Sequence, residues 1–256
     1  MTGSVVRGGT GATTTRTVFE RTNETLAALR QGYPKFYSMA DLGTQSRRRW
    51  VPLDKAVDGG RVELMFRHYV EESGDRRFAC HQVADAFAHG VIGRAVASFV
   101  STGRVWDTGA ENLAVRTDID GGLDWAGVRE TTLRVLPDDP SAGAPGTAVL
   151  PCEEALAAWL ACRSRPTLEH VFAGLAEVSN CRLPMLWSIV GENVLGAATM
   201  VPTFADTSPE TGHRRGQLVL SALHDAGLAV RTRSSLPRTP GAGPIPVKER
   251  NWRTFS

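Results

Sequence analysis

Between Phe78 and Val100 the chain repeats apolar residues at helical spacing. Cys80, Val83, Ala84, Phe87, Val91, Ala95 and Phe99 recur three and four positions apart. A face this apolar has to be covered. Ala84, Ala88, Gly90 and Gly93 leave room for the covering helices to come close. Gly90 and Gly93 also weaken the helix near its middle, so the pattern predicts a kink there or a split into two helices. A chain built around such a column is expected to be mainly helical.

The remaining pattern fits that expectation. Helices are predicted over Arg16 to Arg30, ended by Gly32 and Pro34, and over Arg61 to Glu72 with Val62, Met65, Phe66 and Tyr69 on one face. In the second half they are predicted over Glu153 to Cys162, Pro166 to Asn180, Pro184 to Met200 and Glu210 to Ala226, with Pro166 opening a new helix. Asn112 to Ile119 has strand character. Asp120-Gly121-Gly122 is a turn signal, and Leu123 to Val128 can return as the partner strand. Thr131 to Leu136 is a further short strand-like run. The fold class is therefore α+β: a mainly helical single domain with a small antiparallel β-sheet. It is expected to span residues 16–256, in two halves joined by a Pro/Gly-rich loop near 138–147. Residues 1–15, Gly/Thr-rich, read as a disordered leader, and Val247 to Ser256 as a final strand or tail.

Charge narrows the partners. Twenty-nine basic against 27 acidic residues leave a net +2, without the basic excess that a nucleic-acid binder needs. The short Arg47–Arg49 run reads as a solvated surface. No secretory signal is visible, and no apolar run approaches the roughly 18 residues of a membrane span, so a cytoplasmic location is expected. The four cysteines, Cys80, Cys152, Cys162 and Cys181, form no C-x-x-C pair. They are expected to be reduced thiols, three or four of them buried.

No complete catalytic motif is present. There is no phosphate-binding P-loop and no G-x-S-x-G elbow, and Gly8-Gly9-Thr10-Gly11 follows no strand. His81 and His89 would lie about 12 Å apart along one helix, too far for one metal ion, so no metal ligands are assigned. Two polar intrusions into apolar helices stand out. Glu192 and Asn193 interrupt Leu186 to Leu195, and Arg94 interrupts Phe87 to Phe99. Of Glu192 and Asn193, either one faces solvent while the other bonds a neighbouring loop, or one of them lines a pocket; Arg94 either snorkels to solvent or anchors an acidic group across the core.

Two of these segments together resemble a known family. The first runs from Gln82 through Arg94 to Asp107 and continues as Glu111-Asn-Leu-Ala-Val-Arg116. The second is Leu186-Trp-Ser-Ile-Val-Gly-Glu-Asn-Val-Leu-Gly-Ala-Ala-Thr-Met200. In order and separation they resemble the ferric-siderophore reductases of the FhuF-like family, over about residues 60–230. That fold is thought to be shared with the C-terminal part of siderophore synthetases. The resemblance implies a cytoplasmic protein that receives a siderophore and reduces its iron with a [2Fe–2S] cluster held by four C-terminal cysteines.

The chain departs from the family there. It reaches Ser256 with no such motif after Glu249-Arg-Asn-Trp-Arg-Thr-Phe255, and its own cysteines have the wrong spacing. The expectation is a cluster-less relative that binds a siderophore-like, hydroxamate-like or N-hydroxylated amine-derived small molecule, as an enzyme or accessory protein of specialised metabolism. Haem or iron remain open as cofactors. The alternatives are a reductase whose cluster-binding tail is absent from this chain, and a non-catalytic binding protein. The resemblance suggests Arg94, Arg116, Trp187 and Asn193 as ligand-binding residues. Candidate acid–base groups are His81, His89, Glu192 and Asp118.

Overall fold

In the computed structural model, which describes residues 16–46, 50–118 and 121–230, the apolar run becomes the central helical column. It forms as α4 (Arg76–Ala88), a π-helical turn (His89–Gly93) and α5 (Arg94–Thr102). The Asp75 carboxylate opens α4 by accepting from the amides of Arg77 and Phe78, at 2.8 and 3.2 Å. Gly103, at φ 70°, closes α5 in the left-handed region that favours glycine. The expected interruption at Gly90 and Gly93 is present as the π-turn. By length and mean hydropathy (1.3) alone, residues 76–102 could cross a membrane; 89% of that apolar window is buried inside the protein.

The covering helices are α1 (Val18–Ala28), α3 (Arg61–Ser73), α6 (Glu153–Ser179), α7 (Leu183–Met200) and α8 (Pro209–Asp225), with a short α2 (Leu53–Asp58). A reciprocal cap starts α1: the Thr17 hydroxyl accepts from the Glu20 amide, and the Glu20 carboxylate accepts from the Thr17 amide. One contiguous apolar core runs from Val18 to Val230 and draws on each of these helices.

Three expectations need correction. Pro166 does not separate two helices, because α6 runs unbroken for 27 residues with Pro166 inside it. The proline lies on the solvent side. Cys162, whose carbonyl loses its amide partner, is itself exposed and can turn to water. Leu160 and Leu168, fully buried on either side, hold the helix together through its packing.

The sheet is mixed rather than antiparallel. Its order is β1 (Ala40–Asp41), β4 (Leu123–Val128), β3 (Leu113–Thr117), β2 (Val51–Pro52). The β3–β4 hairpin and the β2–β3 pair are antiparallel, but β1 joins β4 in parallel. A separate pair, β5 (Leu133–Val135) and β6 (Thr147–Val149), is also parallel. The two-residue strands β1 and β2 carry too little pattern to be read from sequence.

The cysteines also differ. Cys152 and Cys162 are exposed, while Cys80 and Cys181 pair across 101 residues, tying α4 to the α6–α7 connection. The expectations for residues 1–15, Arg47–Arg49 and 247–256 lie outside the described residues.

Candidate anion-binding site

The π-turn decides where two polar side chains point. On a regular α-helix, residues five apart diverge by about 140° around the axis. Here the Arg94 amide donates to the His89 carbonyl, the i to i+5 pattern of a π-turn, which brings residues 89 and 94 to one face. Both meet the segment Pro34–Met39. His89 donates from Nε2 to the Phe36 carbonyl at 2.7 Å, and its ring lies 4.3 Å from the Phe36 ring. Arg94 donates from Nη1 to the Ser38 carbonyl at 3.2 Å. Gly93 is where this arrangement is tightest. A β-carbon there would sit 2.9 Å from His89 Nδ1 and 3.2 Å from Asn193 Oδ1.

Arg94 is 6% exposed, yet no carboxylate pairs with it among the described residues, and its Nε has no hydrogen-bond partner among them. Burial pulls its guanidinium down to about 10, so it remains a cation at neutral pH. A buried charge held by one carbonyl and a long contact to the Met39 sulfur is costly, of the order of several kcal/mol before compensation.

Arg94 shares the Ser38 carbonyl with Trp125, which belongs to a group of side chains that the sheet register assembles. Arg116 of β3 stands opposite Trp125 of β4. On the other side, β2 continues the antiparallel register back to Trp50. The Arg116 guanidinium carbon lies 6.0 Å from the Trp50 ring and 5.5 Å from the Trp125 ring, so one cation adjoins both indoles. The two indoles are 5.6 Å apart and tilted by 50°. The Trp125 Nε1 donates to the Ser38 carbonyl at 3.4 Å, the same oxygen that holds Arg94.

A bulge supplies the carboxylate. Arg116 pairs with Trp125 but Thr117 with Leu123, so Asp124 is the extra residue. A bulge re-aims the side chain it carries. The Asp124 carboxylate accepts from Arg116 Nε at 2.9 Å and also from its Nη2, and pairs with Lys35 Nζ at 3.4 Å. Burial pushes the Asp124 carboxyl up, but Arg116 and Lys35 outweigh this and hold it below the usual carboxylate range. Lys35 also lies 5.5 Å from the Trp125 ring. Two cations, Lys35 and Arg116, thus share the Asp124 carboxylate. Asp118, further along the hairpin, accepts from the Gly122 amide at 2.7 Å and braces the turn.

The structure brings together Arg94 and Arg116 of the residues expected to bind a ligand. Trp187 belongs to the core instead, packed edge-on against Phe172 at 5.2 Å. Asn193 faces α4, donating to the buried Asp85 at 2.9 Å and to the Ile189 carbonyl at 3.0 Å. Glu192 is exposed and pairs with His81 at 3.8 Å across α4 and α7. Of the candidate acid–base groups, His89 is the one anchored on the segment that bounds the cation cluster. Lys35, Trp50, Asp124 and Trp125 carried no sequence signal strong enough to single them out, because the bulge and the short β2 pairing bring them in.

The four cysteines do not fit a [2Fe–2S] cluster. Cys80 and Cys181 pair with each other, Cys152 and Cys162 lie exposed on or beside α6, and no set of three potential metal-binding side chains gathers among the described residues. No family model, curated protein or solved structure matches this chain.

Proposed function

We propose that this chain binds a small molecule with two adjacent oxygens, of the hydroxamate type found in siderophores and their N-hydroxylated precursors, and holds it as the anion at the Arg94–Arg116 cluster. The observation that carries this reading is Arg94: a buried cation without a carboxylate partner among the described residues, delivered by a π-turn to a cluster of further cations. A guanidinium is planar and matches two oxygens side by side. Water competes poorly at such a site, so a charge-assisted hydrogen bond there is strong. The resemblance of the Arg94 and Arg116 segments to siderophore-iron reductases supports hydroxamate as the class. No general acid or base is assigned.

The reading is tested by calorimetric titration of the full chain with acetohydroxamate and with a linear trihydroxamate, free and as its ferric complex. At least one is expected to bind with a Kd of about 1 mM or tighter, the scale that about −4 kcal/mol supports. Absence of binding by all of them contradicts the reading.

A further inference from the structure

We infer that the anion taken by this site is carried on a flat conjugated ring, so that the ligand class is an aryl or heteroaryl hydroxamate or carboxylate. This rests on the anion-binding reading and narrows it.

The argument comes from how the cations divide. Arg116 and Lys35 are engaged by Asp124, whereas Arg94 has no such partner among the described residues, so the incoming anion belongs at Arg94. The Trp125 indole nitrogen and Arg94 Nη1 share one acceptor, the Ser38 carbonyl. An anion at Arg94 therefore carries whatever is attached to it toward Trp125. What it meets there is the pair of indoles Trp50 and Trp125 with the Arg116 guanidinium beside both, each within 6.0 Å of the other two. All three are only half-buried, and the two indoles are tilted by 50° rather than stacked flat on each other. Indole faces and a guanidinium plane both attract a flat π-system, and stacking of this kind tolerates different ring substituents. An aliphatic chain gains only contact area from such a group. A conjugated ring gains the stacking as well, and conjugation keeps the anion coplanar with the ring.

The test compares three ligands of one head group by calorimetry on the full chain: acetohydroxamate, cyclohexanecarbohydroxamate and benzohydroxamate. Benzohydroxamate is expected to bind at least tenfold more tightly than either of the others. Trp50→Leu is expected to remove most of the margin of benzohydroxamate over cyclohexanecarbohydroxamate, and Trp125→Leu provides the same comparison at the other indole. Equal affinity for benzohydroxamate and cyclohexanecarbohydroxamate overturns the ring inference and leaves the anion site standing. Benzohydroxamate binding that is insensitive to both tryptophan variants also overturns it. Failure of all three to bind overturns the anion site itself.

Discussion

Gly93 shows how a single residue controls the candidate site. It occupies the π-turn between His89 and Arg94, and a methyl group there would press on His89 Nδ1 and Asn193 Oδ1 at once. Neither neighbour is loose: His89 is held by the Phe36 carbonyl and Asn193 by Asp85. Gly93→Ala is therefore expected to cost about 1–3 kcal/mol, the usual penalty for overfilling a packed site. Chemical denaturation of the variant measures it. An unchanged midpoint would show that the cluster yields more easily than these contacts suggest. Arg94 was legible as an unusual residue because a charge inside an apolar helix stands out in a sequence, whereas Arg116 entered only through the family resemblance. Asp124 and Trp125 were not legible. Their neighbours alternate as in any strand, and what makes them matter is a one-residue bulge that leaves no mark in composition.

At the scale of elements, periodicity located the helices well and the proline rule failed once. The α4–π–α5 column, α7 and α8 follow their apolar spacing closely, and Gly90 and Gly93 correctly marked the break. The two strands of the β3–β4 hairpin were also legible from alternation and the glycine turn. Pro166 misled because its effect depends on which side of the helix it faces. On the exposed side of α6, the carbonyl left without an amide is open to solvent while the buried side keeps its packing. The proline still costs stability. Pro166→Ala is expected to raise unfolding free energy by about 1–3 kcal/mol, since alanine restores the amide and the helical preference. A lowered stability would mean that α6 depends on the proline for its course. The strands β1 and β2, and the parallel pairing of β1, were out of reach because two-residue strands have no readable period.

Across the whole molecule, two carboxylates tie distant segments together by ion pairs. Asp124 joins the hairpin to Lys35, and Asp139 holds Arg104 through two hydrogen bonds at 2.6 and 2.9 Å. In both, burial acts to raise the carboxyl, but hydrogen bonds and the paired cations outweigh it and hold the group below the usual carboxylate range. A group depressed in the folded state stabilises the fold above its unfolded value and loses that contribution as acid protonates it. Thermal stability is expected to show no loss from these groups between about pH 8 and 5, then to fall as the pH drops below about 4. Asp124→Asn should shrink that fall, and an identical acid profile for wild type and variant would contradict the linkage.

The central claim is that Arg94 is kept for a ligand rather than for the fold. The most direct measurement is the thermal midpoint of Arg94→Met, taken with its affinity for benzohydroxamate. Removing a buried charge that lacks a carboxylate partner should relieve its desolvation cost, so a Tm equal to wild type or about 2–4 °C higher is expected, with binding lost. A Tm several degrees lower, with ligand affinity unchanged, would make Arg94 a structural residue and contradict the claim.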